Sequence, residues 1–182
     1  MMQQKDDMRA RTFALDGLPA RKGTRPKTMV GPLHLQCSGH GDPKYLKQLV
    51  KEVFSWPDID PAPSSLNPPD TICFRLKEIA IGSDPAAFIS AREFARVILS
   101  APTIVLALPQ QSAHWAIVRG WAEPHYLRSF GFMPAGAIIL YTPKNPEELE
   151  VCHLLFFESY RFASKSLSPE GVEAGPGNPE LD

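Results

Sequence analysis

Proline sets the tightest limit on what this chain can fold into. Nineteen of the 182 residues are proline, about twice ordinary usage, and each one fixes φ and removes a backbone donor. Spread evenly, they would interrupt every helix and inner strand; they are clustered instead. Pro57, Pro61, Pro63, Pro68 and Pro69 fall within WPDIDPAPSSLNPPD, a stretch closed to helix and to the interior of a sheet. Pro169, Pro176 and Pro179 share the C-terminal tail with Gly171, Gly175 and Gly177. Apolar residues there are too few to offset chain entropy, so disorder is expected. No internal repeat is visible. The expected organisation is an N-terminal arm over 1–42, one domain over 43–163 and a tail over 164–182.

Between the breaks, hydrophobic spacing is legible. Asp42-Pro43 supplies a helix cap and a first-turn proline. Tyr45, Leu46, Leu49, Val50, Val53 and Phe54 then recur at helical spacing. Thr71 to Leu76 reads as a strand that Glu78 to Ile81 extends or pairs with. In Ala91 to Ser100, Phe94, Ala95, Ile98 and Leu99 recur at helical spacing and predict a helix. Thr103 to Leu108 and Ala137 to Tyr141 are apolar runs of buried-strand length. Ser112 is placed to cap a helix through Arg119, with Gly120 ending it in the left-handed conformation. Asn145-Pro146-Glu147-Glu148 starts a last helix, with acids suited to the dipole. The fold class expected is α+β: a mainly antiparallel sheet in a single domain, covered on one face by helices.

Composition removes several function classes. Nineteen Lys+Arg against twenty Asp+Glu leave a formal charge of −1, which argues against nucleic acid or an anionic membrane as the main partner. No apolar run is long enough for a membrane span, and the charged start MMQQKDDMRARTF is not a secretory signal. Cys37, Cys73 and Cys152 are odd in number and scattered, which points to a reducing, cytoplasmic compartment. Gly-rich phosphate loops, nucleophile elbows and His-Glu-x-x-His helices are all missing from the sequence.

Three segments hold residues capable of chemistry. His34-Leu35-Gln36-Cys37-Ser38-Gly39-His40 offers zinc-type donors, but no second pair completes a four-ligand site, so no metal is expected. In Gly120-Trp121-Ala122-Glu123-Pro124-His125, Pro124 forces Glu123 into an extended conformation. An indole, a carboxylate and an imidazole then sit within five residues. Imidazole is well matched to proton transfer near neutral pH, and a carboxylate beside it can orient it. The competing reading is a core Trp121 and a His125 that only caps a turn. The third segment is Phe13 to Pro26, containing the turn Gly23-Thr24-Arg25-Pro26, where Pro26 presets Arg25 as an extended anion donor or leaves it in a basic surface arm.

Together these blocks resemble the fungal luciferase-like (luciferase domain) family. The resemblance is carried by Leu15-Asp16-Gly17-Leu18-Pro19-Ala20-Arg21-Lys22-Gly23-Thr24-Arg25-Pro26. It continues in Arg119-Gly120-Trp121 followed by Glu123, His125 and Leu127, and in Ile139-Leu140-Tyr141-Thr142-Pro143-Lys144-Asn145. The order of the blocks is the same, over about residues 11–36 and 93–163. The resemblance implies chemistry on a hydroxylated α-pyrone with molecular oxygen, without flavin or ATP, opened by removal of the ring hydroxyl proton. Sequences of that family carry a His-x-His pair before the central strand and a histidine within it. Here Arg96, Ile98 and Val105 stand at those positions, and the family's N-terminal membrane span has no counterpart.

The expected function is therefore a soluble, cofactor-independent enzyme tailoring a small oxygenated polyketide- or pyrone-like metabolite in fungal secondary metabolism. Oxygenation, decarboxylation, isomerisation and cyclisation all remain open. His125 is expected as base or acid with Glu123 orienting it. Arg25 and Arg96 would bind an enolate oxygen, and Trp121 would form an apolar wall. The alternative is a non-catalytic ligand-binding or interaction protein that has lost the family's histidines.

Overall fold

A computed structural model describes residues 15–60, 70–79 and 83–164, apart from the side chain of Asp16. The expected disorder of the tail beyond Ser164, and most of the proline-rich stretch, lie outside the described residues. The chain is a mixed α+β domain. Six strands form one antiparallel sheet: β3 (Ile59–Asp60), β4 (Thr71–Leu76), β5 (Glu93–Ile98), β6 (Thr103–Ala107), β7 (Ala122–Pro124) and β8 (Ala137–Leu140), in the order β3-β4-β5-β6-β8-β7. A separate hairpin pairs β1 (Thr28–Met29) with β2 (Leu35–Gln36). The helices are α1 (Pro43–Phe54), α2 (Gln110–Val118) and α3 (Pro146–Ser164).

Local chemistry accounts for most of these boundaries. Asp42 accepts a bond from the Lys44 amide at 2.9 Å and starts α1. Asn145 does the same for the Glu148 amide at 2.8 Å and starts α3. Gly120 takes φ +81° after α2, a conformation costly to residues with a Cβ. Helix α2 begins two residues before the expected Ser112. That side chain is buried and donates across to Glu158 at 3.1 Å instead of capping. Of the proline-rich stretch, the described residues include β3, which lies at the sheet edge, directly after Pro57-Asp58. Glu78 and Ile79 are irregular, and the rest of that expected extension is outside the described residues.

The helix expected over Ala91 to Ser100 is instead strand β5. The register slips between Phe74 and Arg75, which pair with Ala95 and Glu93 and leave Phe94 as the extra residue of a bulge. Phe94 and Ala95 consequently enter the same core although they are adjacent in sequence. Ile98 is buried near the other end of the strand. Apolar residues at i, i+1 and i+4 thus imitate a helix, while the strand is central and covered on both faces.

Lateral pairing divides the sheet into two faces. The row Ile72, Val97, Ile104, Leu140 and Ala122 faces the helices. It joins one main core with Leu49 and Val53 of α1, Ala113 and Ala116 of α2, and Leu155 and Phe156 of α3. Ser159 ties α3 to the sheet, its hydroxyl shared between the Ala107 carbonyl at 2.7 Å and that of Phe94 at 3.1 Å. The adjacent row, Cys73, Arg96, Val105, Ile139 and Glu123, faces the other way. That second face is closed by the β1–β2 hairpin, where Gln36 donates to Thr103 and accepts from the Thr142 amide, both at 2.9 Å. A small apolar cluster of Ile89, Val105, Ala107 and Ile139 lies on the same side.

Gly136 shows how tightly β8 enters the sheet: a Cβ there would stand 1.8 Å from the Leu108 carbonyl oxygen. Gly136→Ala is expected to destabilise the protein by about 3 kcal/mol or more in urea unfolding. Gly31→Ala, with nothing within 4 Å of the new methyl, should change stability by less than about 1 kcal/mol.

Candidate functional site

Glu123 and His125 are two apart on an extended segment, so both project from the second face of the sheet. Tyr141, next to the end of β8, reaches the same region. Three donors converge on the Glu123 carboxylate. The Thr28 hydroxyl and His34 Nε2 each reach Oε1 at 2.6 Å, and the Tyr141 hydroxyl reaches Oε2 at 2.9 Å. Burial pushes the Glu123 pKa up, but the bonds from Thr28, Tyr141 and His34 outweigh it and hold the carboxyl below its usual range. Its side chain keeps 23% exposure, whereas His34 keeps 3%. The carboxylate is therefore where this buried network meets solvent.

His34 is positioned by its backbone. At φ 46° it occupies the left-handed region as the chain enters β2, a conformation costing about 1 kcal/mol that histidine tolerates better than branched residues. The Tyr126 amide donates to its Nδ1 at 2.9 Å. The ring proton therefore sits on Nε2, the atom that bonds Glu123. Tyr141 is gripped from both ends, its hydroxyl on Glu123 and its ring 5.5 Å from the Arg21 guanidinium carbon. Arg21 in turn bonds Glu148 at 3.1 Å. Burial first, then the Glu123 bond, raise the Tyr141 pKa to about 12, so its hydroxyl stays a donor.

The residues expected to act at the site take distinct places. His125 lies in the network region, its ring 5.3 Å from that of His34, but it is only 2% exposed. Its Nδ1 accepts from the Leu127 amide at 3.2 Å and caps a short 3-10 turn, and a backbone bond to Leu33 engages the ring as well. Burial first, then the neighbouring His34 ring and Arg96 guanidinium, lower its pKa to about 4. Glu123 orients His34, not His125. Arg96 is on the same face and pairs with both oxygens of Glu93, at 2.6 and 3.1 Å. Arg25 is exposed and donates to the Ile117 carbonyl at 3.0 Å, at the C-terminal end of α2. Trp121 belongs to the main core and donates to the Pro19 carbonyl at 2.6 Å, securing the arm.

Sequence reasoning missed Thr28, His34 and Tyr141 as partners of Glu123. His34 was visible only as part of an apparent metal cluster. The structure turns it inward while Cys37 and His40 remain exposed. Among the described residues no group of three or more His, Cys, Asp or Glu is placed to hold a metal ion. Among them, too, no helix is long and apolar enough to cross a membrane. No protein-family model, curated protein or solved structure matches the chain.

The depressed His125 pKa makes a pH prediction. Unfolded histidine protonates near 6.5, the folded one near 4, so between those values the unfolded state binds more protons and acid destabilises the fold. Stability should fall by up to about 3 kcal/mol from pH 7 to pH 4 on this account. Glu123 contributes with the same sign but in a more acidic window, as its folded carboxyl takes up a proton. His125→Asn, which keeps a capping acceptor, should remove the His125 component. Urea-unfolding free energies of the two proteins, measured across pH 4 to 7, would then converge toward the acid end; parallel curves would refute the assignment.

Proposed function

We propose that this protein acts on a small oxygenated metabolite, of polyketide or pyrone type, by acid/base chemistry centred on Glu123. The observation that carries the reading is the half-open carboxylate gathering three donors on a largely buried polar face. The likeness of the Arg25, Trp121–His125 and Tyr141 blocks to the fungal luciferase-like family supports the substrate class. A carboxylate held below its usual range is a weak base. It can take a proton only from a hydroxyl that is itself acidic. Enolic ring hydroxyls, such as that of a 4-hydroxy-2-pyrone, meet this condition, and simple alcohols do not.

In this reading the substrate hydroxyl replaces Thr28 at Oε1 and gives its proton to Glu123. His34, locked by Tyr126, steadies the carboxylate. Arg25, the most exposed of the proposed cations, faces the resulting enolate. Arg96 and His125 hold the frame from within the same face. Whether the enolate is then oxygenated, decarboxylated or cyclised depends on the substrate.

A second reading has its own observation. Both Glu123 oxygens and both His34 nitrogens already have partners inside the chain, as a fastening for the arm alone would require. Comparative metabolite profiling of a strain lacking the protein, complemented with wild type or Glu123→Gln, separates the two. Catalysis predicts that Glu123→Gln, present at wild-type abundance, lowers product by about 100-fold or more. An unchanged profile together with a lowered Tm would assign the network to fastening and the protein to ligand binding or interaction.

A further inference from the structure

Large apolar side chains left in solvent are unevenly distributed. Met29, Val30 and Leu33 are exposed on the β1–β2 hairpin. Tyr126, Phe130 and Phe132 are exposed on the segment that follows β7, Phe130 at 56% and Phe132 at 74%. The two segments lie side by side. The Tyr126 amide bonds His34 at 2.9 Å, and the His125 ring meets the Leu33 backbone. Tyr126 and Phe130 stack with ring centres 4.9 Å apart. Gly31-Pro32 and Gly131 (φ +74°) turn the two tips. Exposed apolar side chains are thus concentrated on two adjacent loops, and monomeric soluble proteins rarely leave large apolar patches bare.

Charge identifies the occupant. Residues 24–35 and 124–136 contain no Asp or Glu, and they carry Arg25, Lys27 and Arg128. Glu123, beneath the hairpin, has its oxygens occupied by Thr28, His34 and Tyr141. The overall charge of −1 hides this local excess. A second copy meeting the same face would bring like charges together. Apolar tips flanked by cations are the pattern that enters a headgroup region bearing negative charge. We infer that these two loops dock the protein on an anionic lipid surface, with Phe130, Phe132, Met29 and Val30 entering the interface. The inference does not depend on the chemistry proposed for Glu123.

Co-sedimentation with vesicles tests it. The full chain should pellet with phosphatidylcholine vesicles containing about 30% phosphatidylserine, bind pure phosphatidylcholine more weakly, and be released by high salt. Phe130→Ser with Phe132→Ser should weaken binding about tenfold or more while leaving the circular dichroism spectrum unchanged, because both side chains leave solvent only on docking. Lys27→Gln with Arg128→Gln should remove the preference for phosphatidylserine. A Trp at position 132 (Phe132→Trp) should be quenched by brominated acyl chains. The proposal is overturned if wild type pellets with neither vesicle, or if Phe130→Ser/Phe132→Ser binds like wild type. It is equally overturned by a dimer that this double variant dissolves, which would assign the face to a second copy.

Discussion

The polar network on the second face of the sheet is centred on one carboxylate. Glu123 stands at the end of a lateral row whose other members are apolar or already paired, and it receives three bonds from two separate parts of the chain. Thr28 and His34 come from the hairpin and Tyr141 from the far end of β8. Hydrogen bonds to a charged acceptor are worth about 1.5–3 kcal/mol each, more than neutral ones. Removing the side chain would also leave the buried His34 and Tyr141 donors without this partner. The carboxylate therefore helps to hold the hairpin over the sheet and, among the described residues of that network, is a point open to solvent.

The network has a consistent direction. Tyr126 fixes the His34 proton on Nε2, which points it at Glu123. Arg21 lies against the Tyr141 ring and is itself anchored on Glu148 at the start of α3. His125, by contrast, contributes a capping acceptor and apolar bulk; at a pKa of about 4 it stays uncharged near neutrality. The same polypeptide segment thus holds one group kept ionised and one kept neutral, two residues apart. Burial acts on both; the difference is that Glu123 has donors for its charged form, whereas His125 is buried beside the Arg96 guanidinium, which opposes its own charge.

How much of this the sequence reveals depends on whether a signal is local. Capping chemistry at Asp42 and Asn145, the left-handed Gly120 and the apolar strands Thr71–Leu76 and Ala137–Leu140 are decided within a few residues, and they are legible. Strand β5 misleads because its bulge puts Phe94 and Ala95 on one face, and periodicity has no means of marking an extra residue. Strands β1, β2 and β3 have two residues each, too short to show alternation. The site follows the same division. Pro124 makes the extended geometry of Glu123 visible, but the partners of that side chain are 18, 89 and 95 residues away. Nothing near His34 distinguishes a metal donor from a carboxylate partner until the arm is folded back over the sheet.

Glu123 is ionised, and its three donors hold it so. Carbon-13 NMR of the glutamate side-chain carboxyls across an acid titration reads this directly, with the Glu123 resonance assigned by its loss in Glu123→Gln. The account predicts a midpoint clearly below the ordinary glutamate value of about 4.3, moving up when Thr28→Val and Tyr141→Phe remove two of the donors. A midpoint at or above that value in the wild-type protein would contradict it.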